Sequence, residues 1–376
     1  FDVQLAAPEK IVEVLGPPLD RARDEAGNWS NASIGFAKKQ GVAPEQLQSI
    51  DTPKGPRLGL QKTVPGVAAR DALNAIIQSS IAGLPIARRM RWGASREEFV
   101  RPVHWVVAML GQDCDHGKIF NLSTGNTTRG HRFHGSGLIT LNHAEDYESA
   151  LAKANVVASF EQRQQIIREQ VEAQALALGA NAVIATDLLD EVTGLVEWPV
   201  ALTGSFEERY LQVPPEALIS SMKEHQKYFH LVDSKGELLP HFITVANIES
   251  SDPQQVIAGN ERVIRPRLSD AAFFFETDKK IPLADRVASL SNIVFQQKLG
   301  TVLDKTVRIT QLAALLAPSV GASVAFAQRA AELSKADLVT DMVLEFADMQ
   351  GIAGSYYALH DGEEGEVAAA LAQQYW

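Results

Sequence analysis

Two stretches of the chain place cationic and aromatic side chains next to each other. Residues 213–229 end in a cationic and aromatic run with the candidate contact residues Lys223, His225, Gln226 and Lys227. Residues 259–278 hold a basic run ahead of three consecutive phenylalanines, with the candidates Arg262, Arg265 and Arg267. Cationic groups hold phosphates and aromatic rings stack on unpaired bases. The combination therefore indicates a protein that handles nucleic acid.

Each stretch also has an ordinary structural interpretation. The cations of the first lie near the end of a predicted helix, where the helix dipole favours positive charge. In the second, Pro266 interrupts the arginines, so we expect an extended or turning backbone rather than one face of a regular helix. Residues 273–275 are more typical of a core anchor than of a stacking platform.

An arginine cluster precedes these stretches. Its candidate contact residues are Arg88, Arg89, Arg91 and Arg101, and Arg96 lies among them. Guanidinium groups beside the indole of Trp92 can hold phosphates or stack on a base. The alternative is a solvated basic face that Glu97 and Glu98 partly balance, or an interface held by ion pairs.

A further basic and aromatic motif is flanked by glycines and contains the candidates Arg129, His131 and Arg132. His131 and His134 could ligate a metal, with Cys114 and His116 as distant helpers. Zinc, however, needs a compact set of four ligands, which this spacing does not supply. A loop that contacts RNA or packs against a partner is the favoured interpretation.

Catalytic motifs are absent from the sequence. It has no phosphate-binding glycine loop, no dinucleotide fingerprint and no serine nucleophile elbow. The pair His360-Asp361 is typical of one type of metal site, but no histidine lies between His241 and His360 to complete such a site. We expect no catalytic, metal or cofactor site in this chain.

Hydrophobic periodicity predicts the elements in the first half of the chain. Helices are expected over residues 31–40, 68–84 and 188–196, and between a capping box at Ser159 and a C-cap at Gly179. Four apolar residues alternate along Arg101–Leu110 and predict a buried strand. Another strand is expected over residues 200–203.

The segment after Pro215 is predicted to be a helix followed by a hairpin. Pro215 suits the first turn of a helix, and one face of that helix would carry Leu218, Ser221, Met222, His225 and Phe229. Turn residues over 233–236 predict a hairpin that leads into a strand over 242–246. Helices and strands without a βαβ rhythm predict an α+β body over residues 1–283.

After about Leu283 the sequence becomes rich in Ala and Leu with helical spacing. Helices are expected over residues 302–317, 323–334, 338–347 and 365–374. We therefore predict a second, all-α domain over residues 284–376.

Composition narrows the class of protein. The net charge of −11 means that nucleic acid would have to bind at local basic patches on an acidic body. The single cysteine excludes an internal disulfide framework and fits the cytoplasm, and no apolar run is long enough to suggest a membrane partner. Because the chain begins at Phe1 without an initiator Met and stops at Trp376, we expect it to be a fragment.

Ten short runs occur in the order in which one protein family carries them. They are residues 83–86, 90–93, 99–104, 129–133, 196–200, 226–229, 259–262, 267–270, 298–301 and 345–351. From about Gly16 onward the chain resembles the beta subunit of bacterial two-subunit glycyl-tRNA synthetase. So many ordered runs are far more specific than any one of them.

The resemblance implies a division of labour between two kinds of subunit. In that family the alpha subunit carries the active site, where ATP, Mg and glycine are used. The beta subunit supplies most of the recognition of tRNA(Gly) within an α2β2 assembly. The implied fold is a body resembling the editing-like domain of the phenylalanyl-tRNA synthetase beta chain, followed by an HD-like helical domain. An anticodon-binding domain would complete the family polypeptide.

The HD-like region departs from the pattern of metal-dependent hydrolases. By resemblance its first histidine position falls near Lys305, and its His-Asp position near Lys335 and Asp337. A protonated lysine cannot replace an imidazole ligand. The leading hypothesis is thus a tRNA-binding subunit of glycine–tRNA ligase. The alternatives are an HD-type phosphohydrolase and an assembly scaffold that does not bind RNA.

Overall fold

The computed structural model describes residues 4–135 and 137–376. The chain divides into two compact units. The first consists of the described residues up to Arg129 together with Gly137–Ala150. The second consists of residues 130–135 and Leu151–Trp376, so a short loop of the second unit is inserted within the sequence of the first.

The first unit is built from short strands and two longer helices. Its helices are α1 (Asn31–Gln40), α2 (Ala69–Gly83) and α3 (Asp146–Ala152), the last of which runs into the second unit. Its strands are β1 (Lys10–Pro18), β2 (Gln48–Ile50), β3 (Arg57–Val64), β4 (Met90–Arg91), β5 (Glu98–Phe99), β6 (Val106–Val107), β7 (Met109–Leu110), β8 (Asp113–Cys114), β9 (Lys118–Ile119), β10 (Leu122–Gly125), β11 (Thr127–Arg129) and β12 (Leu138–Thr140).

The core of the first unit lies between α1 and an antiparallel sheet of order β1-β3-β2. Ala37 on α1 and Leu58 on β3 are buried together with Leu47 and Ala22. The helices predicted over residues 31–40 and 68–84 are confirmed.

The strand predicted over Arg101–Leu110 is wrong in its extent. Only β6 and β7 form there, since β6 pairs in parallel with β10 whereas β7 pairs with β8. The chain therefore changes partners at Ala108, and the alternation of apolar residues does not reveal that change. Trp105, which was expected inside, is 44% exposed.

The second unit is mostly helical. Its helices are α4 (Phe160–Ala177), α5 (Thr186–Leu195), α6 (Pro215–Ser220), α7 (Pro253–Asp278), α8 (Leu283–Arg286), α9 (Val302–Leu316), α10 (Val324–Leu333), α11 (Asp341–Glu345), α12 (Ile352–His360) and α13 (Gly365–Gln373). Its strands are β13 (Asn181–Ala182), β14 (Val200–Ser205), β15 (Phe229–Val232), β16 (Leu238–Ala246), β17 (Val294–Gln296) and β18 (Gly300–Thr301).

A four-stranded antiparallel sheet, in the order β13-β15-β16-β14, separates two helical layers. Successive residues of a strand face opposite sides. Ile243 on β16 accordingly packs with α4 and α5, whereas the adjacent Phe242 packs with α7. The hairpin predicted around residues 233–236 is confirmed as the β15–β16 connection. The predicted Ser159 cap is also found, as Ser159 Oγ accepts a hydrogen bond from the amide of Gln162.

The core on the α7 side of the sheet continues to the end of the chain. It includes Leu268 on α7, Tyr357 on α12 and Leu371 on α13, and Leu283 is buried within it. The boundary predicted near residue 283 therefore separates two kinds of secondary structure inside one compact unit. The region beyond it is not entirely helical, because β17 and β18 form a small hairpin.

The helix predicted after Pro215 is shorter than expected. α6 continues into a π-helical turn, Ser221–His225, and Lys227 adopts a left-handed conformation with φ of 60°. Phe229 consequently starts β15 and does not share a helix face with Leu218 and Met222, although all three are buried. In the described part of the chain, no helix is both long enough and apolar enough to cross a bilayer.

Candidate nucleic-acid interface

The two lysines of residues 213–229 are held by acidic residues of α5. Lys223 Nζ lies 2.7 Å from Asp187 Oδ2, and Lys227 Nζ lies 2.8 Å from Glu191 Oε2. The hydrogen bond from Lys223 keeps the pKa of Asp187 below its usual value. These pairs attach the turn before β15 to α5. Both lysines therefore have structural partners within the unit.

The other two candidates of this stretch differ in environment. The His225 side chain is exposed, and its ring stacks near Phe346 with the centroids 6.2 Å apart. Gln226 is half-buried. Neither forms a cationic surface with the adjacent lysines.

The arginines around Pro266 lie on one continuous helix, contrary to the extended backbone that we predicted. α7 runs from Pro253 to Asp278 and contains Pro266. The apolar positions Ile264, Leu268 and Ala271 are buried, and this burial stabilises the helix despite the lost backbone donor of the proline. Arg265 and Arg267 nevertheless point to different partners, so the three arginines do not line one face of this helix.

Two of these arginines form ion pairs with different elements. Arg265 Nε lies 2.9 Å from Glu207 Oε1, and Arg267 Nη1 lies 3.5 Å from Glu345 Oε1. Arg262 is exposed, and among the described residues no carboxylate pairs with it. Arg262 is therefore the one arginine of this stretch whose charge is available to a ligand.

His131 is a structural residue. It is 3% exposed, and its Nδ1 accepts hydrogen bonds from the amides of Phe133 and His134. Its Nε2 therefore carries the proton and donates to the carbonyl oxygen of Asn247 at 2.8 Å. His134 Nε2 accepts from the amide of Glu249. Both ring nitrogens of His131 and Nε2 of His134 are thus engaged in hydrogen bonds. None of these three nitrogens is free to bind a metal.

Asn247 is a structural residue that the sequence did not single out. Its Oδ1 accepts hydrogen bonds from the amides of Glu197 and Trp198, at 2.7 and 2.9 Å. Together with the His131 bond, these contacts join two of the runs that supported the family resemblance. At the apex of the inserted loop Arg132 is exposed, and Phe133 is 74% exposed.

The arginine cluster of the first unit lies around three aromatic rings. β4 and β5 pair so that Arg91 opposes Glu98, and their side chains form an ion pair at 2.6 Å. The Phe120 ring lies 5.9 Å from Trp92 and 5.1 Å from Phe99, measured between centroids.

Phe120 and Asn121 form the two-residue turn between β9 and β10. Both have left-handed backbones, with φ of 52° and 59°. Such a conformation costs a residue other than glycine about 1–2 kcal/mol. The ring contacts of Phe120 offset that cost. Asn121 Nδ2 also donates a hydrogen bond to Glu97 Oε1 at 2.7 Å.

A cavity of about 410 Å³ opens beside this turn. Its lining combines α2 with the β4–β5 and β9–β10 regions. It includes the cations Arg89, Arg96 and Lys118, the aromatic Phe120 and two carboxylates, Glu97 and Glu98. In the described part of the chain, no carboxylate pairs with these three cations or with Arg88. Lys118 and Phe120 were not among the candidates from the sequence, although a basic and an aromatic residue lie two positions apart there.

The last two candidates of the first unit are more isolated. Arg101 is exposed and donates a hydrogen bond to the neighbouring carbonyl of Val100. Arg129 is exposed at the end of β11, where it pairs with Leu138 on β12. The cations without carboxylate partners that lie together are therefore Arg89, Arg96 and Lys118 around the cavity, and Arg88 is next to Arg89 in the sequence.

Comparison with known proteins identifies the family. Residues 2–376 match the family model of the glycyl-tRNA synthetase beta subunit. The chain belongs to this family. It is 54% identical to the glycine–tRNA ligase beta subunit of Chromohalobacter salexigens over 98% of this chain and 53% of that protein. It is 52% identical to that of Marinobacter nauticus over 100% of this chain and 54% of that protein.

The family assignment confirms the resemblance inferred from the ten ordered runs. The chain spans about half the length of the curated relatives that it matches. It is accordingly a fragment of a glycyl-tRNA synthetase beta subunit, as the sequence led us to expect.

Lys335 and Asp337, which the family resemblance placed at an expected His-Asp position, make internal contacts. Asp337 is buried, its Oδ2 accepts a hydrogen bond from the amide of Gly354, and burial raises its pKa. Lys335 Nζ donates to Tyr375 Oη at 2.7 Å. In the described ranges no three His, Cys, Asp or Glu side chains lie where they could share a metal ion.

The His360-Asp361 pair has a different role. Asp361 Oδ2 accepts a hydrogen bond from the amide of Leu283 at 2.6 Å, which joins the end of α12 to the start of α8. His360 is exposed beside it. Asp361 therefore stabilises a helix junction.

Proposed function

We propose that this chain is the part of a glycine–tRNA ligase beta subunit that binds and positions tRNA(Gly) through the basic and aromatic surface of its first unit. The membership of the chain in the glycyl-tRNA synthetase beta subunit family carries this proposal. The cations Arg88, Arg89, Arg96 and Lys118 would contact phosphates. Aromatic rings near them would contact unpaired bases.

Charge distribution supports this choice of surface. The chain as a whole carries a net charge of −11, so most of its surface repels a phosphate backbone. Lys223, Lys227, Arg265 and Arg267 are each paired with a carboxylate. These side chains could contact RNA only if their ion pairs with the carboxylates were broken. The cations of the first unit that have no carboxylate partner can contact phosphate without breaking an ion pair.

The remaining parts of the proposal follow from the family. A catalytic alpha subunit would use ATP and Mg to activate glycine, and the two subunits would act in the cytoplasm as an α2β2 assembly. This chain would contribute positioning of tRNA and no active site. Its body would correspond to the editing-like domain of the phenylalanyl-tRNA synthetase beta chain, and its helical region to an HD-like domain.

Filter binding of tRNA(Gly) over a series of salt concentrations tests the RNA-binding surface. The logarithm of the binding constant should fall linearly with the logarithm of salt concentration. Removal of one phosphate contact should reduce that slope by roughly one. The variants Arg96→Gln and Lys118→Gln should each do so. Lys235→Gln, which removes the same charge from the exposed β15–β16 turn, should leave the slope unchanged.

Two results would count against the proposal. Equal slopes for the wild type and both cavity variants would show that the surface does not touch phosphate. Equal losses for Lys235→Gln and for the cavity variants would show only a general charge effect. Aminoacylation assays with the alpha subunit and the full-length beta subunit would then measure whether the same variants lower charging of tRNA without changing glycyl-adenylate formation.

A further inference from the structure

The longest uncharged segment of the chain covers the second half of α9, the turn that follows it and the first half of α10. No Asp, Glu, Lys or Arg occurs between Arg308 and Arg329, in a protein with 22% charged residues. Uncharged segments of this length are normally buried in a soluble protein. Here the segment forms two helices and the turn between them, and much of it is open to solvent.

α9 exposes large apolar residues on its outer face. Leu312, Leu315 and Leu316 follow the spacing i, i+3, i+4 and are 56%, 75% and 58% exposed. Residues with that spacing share one side of a helix. The buried side of the same helix includes Thr306, which is 2% exposed. The helix therefore buries Val302 and the polar Thr306 while it leaves three leucines exposed.

The apolar face continues beyond α9. Val320 in the following turn is 77% exposed, and Val324 and Phe326 on α10 are 39% and 36% exposed. Contiguous apolar surface of this kind marks an interaction site. We call Leu312, Leu315, Leu316, Val320, Val324 and Phe326 the apolar face.

The helices that carry the apolar face are well defined at their start. Thr301 and Asp304 form a reciprocal capping box at the N-terminus of α9. The Ser323 side chain caps α10, and the two helices pack against each other. The face therefore exists before any partner binds and would require little ordering on binding.

We propose that the apolar face is the docking surface for a helix from the part of the polypeptide by which the relatives exceed this chain. The chain spans only 53–54% of those relatives, so nearly half of a typical family member lies outside it. A segment tethered to the same chain has a high effective concentration at such a face. The proposal goes beyond RNA binding and does not depend on it.

The chemistry of the face selects its occupant. It has no cation to hold a phosphate and no charge to pair with a charged protein surface. An amphipathic helix that presents its apolar side satisfies these conditions, whereas RNA does not.

Cysteine accessibility tests the proposal. Leu315→Cys would be made in a Cys114→Ser background, both in residues 1–376 and in the full-length beta subunit from the same gene. Maleimide labelling of residue 315 should be fast in the short chain and roughly tenfold slower or more in the full-length protein, since protected sites react only after local opening. Lys235→Cys on an exposed turn should react at the same rate in both.

The other possible occupants give different results. Fast labelling in the full-length subunit that slows only when the alpha subunit is added would overturn the proposal in favour of an intersubunit contact. Labelling of the short chain that slows as its concentration rises, together with a dimer in sedimentation, would assign the face to a second copy. Fast labelling under every condition would leave the face without an occupant and would also refute the proposal.

Thermal unfolding gives a second, independent measurement. Leu315→Glu should leave the melting temperature of residues 1–376 nearly unchanged, because the side chain is already exposed there. It should lower that of the full-length subunit by several degrees, because a charge would be buried at the interface. Lys235→Glu should change neither. Equal effects of Leu315→Glu in both proteins would contradict intramolecular docking.

Discussion

Tyr357 donates a hydrogen bond to Asp278 over 3.0 Å, and this contact joins α12 to the last residue of α7. Asp278 is 2% exposed and also accepts from the amides of Asp341 and Met342 at 3.0 and 2.9 Å. Arg286 Nη2 lies 3.1 Å from the same carboxylate. One buried side chain therefore connects α7, α8, α11 and α12.

Asp278→Ala is expected to be among the most damaging substitutions in the second unit. It would leave two amides without their acceptor and Arg286 without its carboxylate partner, and removal of one partner of a buried ion pair costs about 3–5 kcal/mol. Urea unfolding measures the loss. Tyr357→Phe removes only one hydrogen bond to the same carboxylate and should cost about 1–2 kcal/mol. Equal losses for the two variants would refute the central role of Asp278.

Acidification should destabilise the protein through His230. This residue on β15 is buried, and burial, followed by repulsion from Lys223, lowers its pKa. Its unfolded value is about 6.5, so below that pH the unfolded state binds a proton that the folded state resists. Stability should therefore fall as the pH drops from about 6.5 toward the lowered pKa of the folded state.

The variant His230→Gln isolates this effect. Denaturant unfolding at a series of pH values between about 7.5 and 5 should show a smaller loss of stability for the variant than for the wild type. His225→Gln, which alters an exposed histidine five residues earlier in the chain, is the matched control. If the unfolding free energy of His230→Gln falls with pH as steeply as that of the wild type, groups other than His230 cause the pH dependence.

Asn247→Ala should loosen the inserted loop. The substitution removes the acceptor for the amides of Glu197 and Trp198, and each hydrogen bond of this kind contributes about 0.5–1.5 kcal/mol. Trypsin can cleave after the exposed Arg132, so the cleavage rate there reports on loop order. We expect faster cleavage in Asn247→Ala and no change in Asn121→Ala. An unchanged rate would show that the side chain of Asn247 does not hold the loop.

A matched pair of glycine substitutions separates backbone strain from ring packing at the β9–β10 turn. Phe120→Gly and Asn121→Gly both relieve a left-handed residue, a gain of about 1 kcal/mol. Only Phe120→Gly removes the contacts with Trp92 and Phe99, and each aromatic pair is worth about 0.5–1.5 kcal/mol beyond its buried area.

Denaturant unfolding, with hydrogen exchange to locate the change in the first unit, measures both variants. Asn121→Gly should be nearly neutral, because the relief of strain offsets its lost hydrogen bond to Glu97. Phe120→Gly should destabilise the unit by about 1–3 kcal/mol, because ring packing is lost as well. If Phe120→Gly instead raises the stability, the ring contacts contribute less free energy than the left-handed backbone of Phe120 costs.

Local features of the fold were predictable from the sequence. The helix over residues 31–40, the Ser159 cap and the β15–β16 hairpin follow from periodicity and from residues with defined turn or capping preferences. The strand over residues 101–110 was wrong because an alternating pattern does not say which strand will pair with each segment. Pro266 misled the prediction for α7, since burial of the apolar positions around it outweighs the proline.

The candidate contacts were less predictable than the elements that carry them. Residue type marked Lys223 and Arg265 as cations, but their partners Asp187 and Glu207 are distant in sequence. Tertiary structure alone determines which cations are paired. The same limit applies to Lys118, whose importance depends on a cavity built from three separate segments.

The loop of residues 130–135 affects how the protein can be dissected. A second unit expressed from residue 151 onward would lack His131, and the carbonyl of Asn247 would lose its donor. A variant truncated at residue 151 would therefore show the effects of a damaged second unit, and not only the effects of removing the first unit. Since the loop lies within the sequence of the first unit, a permuted or co-expressed peptide that supplies residues 130–135 is the cleaner way to study the second unit alone.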